Sequence, residues 1–159
     1  MEEKINILIV DDNIENLRVV STFLKEQDYQ IALATDGKSA LSILESNRID
    51  LILLDIMMPE MDGYEVCNII RKNERISNIP VIFLTARTET EDIVKGFQTG
   101  GVDYITKPFK KEELLARVKN HITIKLAKDY LRKCEKDAIE TREHFMRALF
   151  QLSKIIDRK

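Results

Sequence analysis

Five polar residues stand where this sequence could do chemistry: Asp11 and Asp12 after one apolar run, Asp55 after a second, Thr85 after a third and Lys107 after a fourth. Three carboxylates near one point repel one another and raise each other's pKa unless a cation neutralises them. The cation suited to them is Mg2+, which prefers oxygen ligands in octahedral geometry, keeps several waters and takes one or two carboxylates. Asp12 and Asp55 suit direct ligation, with Asp11 acting directly or through water. The blander reading of Asp11-Asp12-Asn13 is helix capping, because such residues are preferred N-caps. Asp55 adds a constraint of its own. It follows Leu51-Ile52-Leu53-Leu54, a run that should be buried, so its ionised side chain must lie at a sheet edge or be paired. A carboxylate is also a competent nucleophile toward phosphorus, forming an aspartyl phosphate. Lys107 offers a compact positive charge for phosphoryl oxygens and Thr85 a hydroxyl donor, and phosphoryl transfer is catalysed mostly by such positioning and charge compensation. Singly, Lys107 reads as a surface lysine and Thr85 as a strand-end residue; the chemistry needs all of them to meet.

The elements that would bring them together are legible as five alternations. Residues 5–10, 30–34, 50–54, 80–84 and 103–106 read as strands,. The near-continuous apolarity of the first, third and fourth predicts strands covered on both faces, as inside a parallel sheet. Between them, helical spacing appears in Ile14, Leu17, Val20, Phe23 and Leu24, in Ala40, Leu41, Ile43 and Leu44, in Val66, Ile69 and Ile70, and in Ile93, Val94 and Phe97,. The class is α/β, a (βα)5 doubly wound parallel sheet. Its ligand site is expected beyond the carboxyl ends of the strands, where the five polar residues stand.

From about residue 110 to 159 the chain contains no Gly and no Pro, which predicts one long C-terminal helix. Ile124, Ala127, Leu131, Cys134, Ala138, Thr141, Phe145, Ala148, Leu152 and Ile155 follow an alternating three and four spacing, the seam of a coiled coil,. A homodimer through this helix is expected, with a seam weakened in its middle by Cys134, Ala138 and Thr141. The alternatives are a helix folded back on its own domain or frayed in isolation.

Composition bounds the rest. The chain has 159 residues, 44% hydrophobic and 33% charged, enough for one folded domain with an appendage and too apolar for disorder. Residues 1–118 carry 14 basic and 21 acidic side chains, whereas residues 119–159 carry 11 and 6. No apolar stretch approaches the roughly 20 residues of a membrane helix, and the acidic start does not read as a signal peptide. Cys67 and Cys134 lack metal-type spacing,. A reduced, cytoplasmic protein is expected.

In combination, Ile9-Val10-Asp11-Asp12, Leu54-Asp55-Ile56-Met57-Met58-Pro59-Glu60-Met61-Asp62-Gly63, Leu84-Thr85-Ala86 and Asp103-Tyr104-Ile105-Thr106-Lys107-Pro108-Phe109 closely resemble the receiver domains of bacterial response regulators. The resemblance covers about residues 4–122, and the domains expected are a receiver at 1–122 and a helical, coiled-coil extension at 123–159. It implies a flavodoxin-like strand order 2-1-3-4-5. It implies that Asp55 is the phosphoacceptor in a two-component phosphorelay, that Asp12, Asp55 and the backbone carbonyl of Met57 bind Mg2+ with help from Asp11, and that Lys107 binds the phosphate. Thr85 would be the switch hydroxyl and Tyr104 the switch aromatic. The Lys107-Pro108 bond would be cis, Pro59 and Gly63 would shape the loop after the active strand, and Met57 and Arg87 would occupy positions that tune phosphoryl lifetime. The donor would be a sensor histidine kinase or a histidine phosphotransfer protein. The domain would be a signalling module rather than an enzyme, possessing at most autodephosphorylation; separately, the abrupt basic ending suggests a regulatory fragment of a longer protein whose output domain is missing. Gly100-Gly101-Val102-Asp103 departs from the usual pattern and predicts a looser turn before the fifth strand.

Rival readings fit less well. A haloacid-dehalogenase-like phosphatase places its nucleophile after the first strand and a second acid two residues on, where this chain has Met57. A flavodoxin needs a hydroxyl- and glycine-rich phosphate loop, which Asp11 and Asp12 would repel. A phosphorylation-independent scaffold would not need the full acidic and cationic set. DNA binding by the basic tail is disfavoured by its interleaved acids. His144 lacks the residues of a phosphorylatable helical motif and reads as solvated, and His121 has no evident partner in the sequence.

Overall fold

A computed structural model describes residues 3–86 and 89–156. The chain divides into two compact units, Met1–Thr123 and Ile124–Lys159. In the first, β1 (Ile5–Val10), β2 (Tyr29–Ala34), β3 (Leu51–Asp55), β4 (Val81–Thr85) and β5 (Asp103–Thr106) alternate with α1 (Ile14–Lys25), α2 (Gly37–Ser46), α3 (Gly63–Lys72), α4 (Thr90–Gln98) and α5 (Lys111–Ile156), whose C-terminal part forms the second unit. The sheet order is β2-β1-β3-β4-β5 and every pairing is parallel. This is the doubly wound order that the sequence led one to expect. Two strands end one residue later than their hydrophobic runs, so Asp55 and Thr85 are themselves the last residues of β3 and β4.

The period of two along each strand sorts the core into two layers. Leu8, Val10, Ile52, Leu54, Val81 and Phe83 face Ala40 and Leu44 of α2 and Val66, Cys67 and Ile70 of α3. Ile7, Ile9, Leu51, Leu53, Ile82, Leu84 and Ile105 face Leu17, Val20 and Leu24 of α1 and Leu114, Val118 and Ile122 of α5. Strands β3 and β4 are buried at every residue, while in the edge strand β2 Ala34 is buried and the other five residues are partly or fully exposed. Helix starts are fixed by side chains that accept otherwise unpaired amides: Asn13 from Glu15, Asp36 from Ser39 and Asp62 from Glu65.

The helical spacings overstate the core in places. Ile14, Ile69, Val94 and Phe97 are exposed, and α4 buries only Gly96. The turn before β5 is pinned rather than loose. The Gly100 amide donates to the Phe97 carbonyl and that of Gly101 to the Gly96 carbonyl, while the Arg71 guanidinium donates to the Gly100 carbonyl from two nitrogens, at 3.0 and 2.8 Å. Gly100 has φ +104° and a Cβ on Gly101 would strike the Phe83 ring, so both glycines are required by geometry. In the second unit α5 is regular to Ile156 and every seam position is exposed; residues 157–159 of the expected helix lie outside the described residues. None of the described helices is long and apolar enough to cross a membrane.

Candidate functional site: an acidic cluster at the strand ends

Parallel register delivers the site. Val10 is level with Leu54, and Asp55 with Leu84, so the residues just past these positions emerge side by side at the carboxyl edge of the sheet. Carboxylate oxygens of Asp11, Asp12 and Asp55 all lie within 4.8 Å of one another; Asp11 and Asp55 are buried and Asp12 is exposed. The Lys107 ammonium reaches this cluster from the end of β5, 3.1 Å from Asp11 Oδ2 and 3.0 Å from Asp55 Oδ1. Its backbone amide donates to the Thr85 carbonyl at 2.9 Å, which places Thr85, buried and partnered, on the neighbouring strand end. The Lys107-Pro108 peptide bond is cis.

The charges are unequal: three carboxylates face one lysine. Burial pushes the Asp55 carboxyl up to about 6, the Asp11 charge adds to this, and the Lys107 hydrogen bond and charge oppose it without cancelling it,. Burial acts to lower the Lys107 pKa, but its hydrogen bonds to Asp55 and Asp11 outweigh that and raise it. Lys107 is therefore a fixed cation and the cluster retains excess negative charge. A hard dication with oxygen preference fits this donor set.

Within Asp11-Asp12-Asn13 the helix-capping residue is Asn13. Asp11 accepts from the Asn13 amide at 2.9 Å, from Asn16 Nδ2 at 3.1 Å and from Lys107. Asn16 gave no signal in the sequence, since an asparagine one turn into a helix is ordinary. Met57, with an exposed side chain, donates its amide toward Asp55 Oδ1 at 3.4 Å. The loop after β3 turns at Glu60, at φ 68°, between the expected Pro59 and Gly63. Gly63 is required because a Cβ there would fall on the Asp55 carbonyl oxygen, and its amide donates to the Ile56 carbonyl at 2.9 Å. Arg87 lies outside the described residues.

Tyr104 stands one strand away, in a row of rings. Tyr64 and Phe83 have centroids 5.5 Å apart, Phe83 and Tyr104 5.8 Å, and Phe97 and Tyr104 5.4 Å. The Tyr104 hydroxyl donates to the carbonyls of Asp92 and Ile93 in α4, at 2.8 and 2.7 Å, and Tyr64 also donates to Asp92. Burial pushes the Tyr104 phenol up to about 12. A second cluster was invisible in the sequence: Asp103 accepts from Arg117 Nη1 at 2.8 and 3.0 Å and lies 2.9 Å from His121 Nε2. The partners of His121 are 18 residues away and on a different element, so no local pattern announces them.

The model of the response regulator receiver domain matches residues 7–119. The chain belongs to this family. The chain is 48% identical over 135 residues, 85% of its length, to a Vibrio cholerae protein named "Probable cyclic di-GMP phosphodiesterase", of which it spans 30%. Because the first unit ends at Thr123, that alignment runs into the helical extension. It is 42% identical over 113 residues, 71% of this chain, to the DNA-binding response regulator MtrA of Mycolicibacterium paratuberculosis, of which it spans 49%. The chain thus spans half or less of these relatives. Among solved structures, the receiver domain of the Francisella response regulator 1452 superposes with a TM-score of 0.70 at 36% identity, over 76% of this chain and 98% of that one. The receiver has a phosphoacceptor signalling role in two-component systems.

Proposed function

We propose that Asp55 is the phosphoacceptor. The observation that carries this is the Lys107 ammonium held between Asp55 and Asp11 inside a cluster of three carboxylates at the strand ends. An Asp55 oxygen attacks the phosphorus of a phosphohistidine on a sensor kinase or phosphotransfer protein, the P–N bond breaks, and the imidazole leaves. Lys107 offsets negative charge on the phosphoryl oxygens throughout, already in position before the donor arrives. Asp12, Asp55 and the Met57 carbonyl would hold Mg2+, with Asp11 in support, and the ion when bound would neutralise the remaining charge. Thr85 turns its hydroxyl to the new phosphoryl group, and Tyr104 follows on the neighbouring strand.

The change is read on α4, β5 and α5, and α5 belongs to both units. We infer pairing of two copies through the extension as the output of the receiver itself. The 48% relative, aligned into the extension, favours cyclic di-GMP hydrolysis by an attached domain as the regulated activity; the 42% relatives favour a DNA-binding output less strongly.

The test is intact mass measurement after incubation with acetyl phosphate and Mg2+. The wild-type chain gains one phosphoryl adduct and Asp55→Asn gains none. An adduct on the variant, or none on the wild type while a related receiver is labelled alongside, removes the assignment.

A further inference from the structure

The extension's charges reveal which face is left for a partner. With Ile124 at position a of a heptad, three intrachain ion pairs fall on the outer positions b, c and f: Lys125 with Asp129 at 2.7 Å, Arg132 with Asp129 at 3.9 Å, and Arg147 with Glu143 at 3.4 Å. The Lys154 ammonium lies 4.5 Å from the centre of the Phe150 ring, again c over f. Four cations of the outer face, Lys125, Arg132, Arg147 and Lys154, are thus engaged within the chain. On the seam side, Ile124, Leu131, Phe145, Leu152 and Ile155 are between 42% and 62% exposed. Beside the seam, Asp137 at g and Arg142 at e have no ion-pair partner among the described residues.

These two residues are five apart, the separation at which a g residue meets the e residue of the facing helix in a parallel, in-register pair. We propose that the seam is covered by a second copy of this chain running parallel and in register, with Asp137 of each copy facing Arg142 of the other. This rests on the dimer reading above and adds its orientation. In that arrangement Tyr130 faces Glu135 of the other copy and no like charges meet across g and e. The small residues Cys134, Ala138 and Thr141 let the two backbones approach closely at mid-seam. Ile139 and Met146, at b, lie outside this contact.

Cys134 reports the orientation directly. It is exposed, while Cys67 is buried. In a parallel pair the two Cys134 thiols face each other at position d. In an antiparallel pair centred on the same seam they are about 16 Å apart along the axis, given the 1.5 Å rise per residue, beyond the roughly 7 Å that a disulfide tolerates between Cα atoms.

The experiment combines sedimentation of the full chain, with and without beryllofluoride, and mild oxidation by copper phenanthroline, which takes two electrons as two thiols lose their protons and join. Expected are a dimer, a disulfide-linked species in the wild type and in Cys134→Ser/Ala138→Cys, and none in Cys134→Ser or Cys134→Ser/Lys133→Cys, whose thiol is on the outer face. Asp137→Arg weakens the dimer roughly tenfold, the scale of two exposed ion pairs turned to repulsion, and adding Arg142→Asp restores it. A dimer without crosslinking at 134 or 138, or with equal crosslinking at 133, overturns the parallel seam and leaves the dimer reading standing. A monomer in every state overturns both, and neither outcome touches phosphorylation at Asp55.

Discussion

As the proposed phosphoacceptor, Asp55 carries opposite demands at neutral pH, since it would have to be ionised to react and yet sits buried beside Asp11. Its folded pKa of about 6 lies above the roughly 4 of an unfolded aspartate. Between those values the folded state holds the extra proton, so stability in the absence of metal declines as pH rises from about 4 to about 6 and stays lower above that. Asp55→Asn should therefore be more stable than the wild type at pH 7 in EDTA, by up to on the order of 3 kcal/mol, and the gap should close near pH 4. Urea unfolding at both pH values measures it, and saturating Mg2+ should narrow or reverse it by binding only the folded wild type. Gly96 offers a second prediction of this kind. A Cβ there would strike the Tyr104 hydroxyl, so Gly96→Ala should drive Tyr104 off the Asp92 and Ile93 carbonyls. Burial is the main cause of that phenol's raised pKa, so its pKa should fall from about 12 toward the ordinary value, as NMR titration of labelled tyrosine would show.

Among the elements, the approach of α3 to the end of β3 depends on one missing methyl group. At Gly63 a Cβ would lie 2.8 Å from the Ile56 Cα and closer still to the Asp55 carbonyl oxygen, both backbone atoms that cannot swing aside. Gly63→Ala should cost about 2 kcal/mol or more, read as a lowered midpoint in denaturant, and should weaken Mg2+ binding because the Asp55 backbone moves. Helix α3 is also held at its far end. Arg71 donates to the carbonyls of Ser77 and Ile79 at 2.9 and 2.7 Å as well as to Gly100, tying the loop before β4 to the turn before β5. Arg75 similarly donates to the carbonyls of Leu44 and Glu45 at the end of α2. Each guanidinium supplies donors that buried or terminal carbonyls would otherwise lack.

At the scale of the molecule, every buried apolar side chain among the described residues lies no later than Ile122. The prediction is that residues 1–123 fold alone and accept phosphate at the rate of the full chain. The extension by itself should behave as a marginal helix whose helicity rises with concentration as it pairs. Circular dichroism over a dilution series and phosphorylation of the truncated chain check the two halves. A truncated chain that fails to fold would show that the extension supports the receiver rather than reading it.

How much of this was legible follows from the range of each interaction. Strand alternation, helix spacing and the polar residue closing each apolar run are local patterns, and because parallel strands align their ends, they were enough to imply the sheet and to nominate Asp11, Asp12, Asp55, Thr85 and Lys107. Whether α4 is covered, why Glu60 rather than a glycine takes the left-handed turn, and which groups meet Asp103 could not be read that way. Lys107 reaches Asp55 across 52 residues and His121 reaches Asp103 across 18. Such contacts are set by where the chain returns in space, and only the packed tertiary structure decides that.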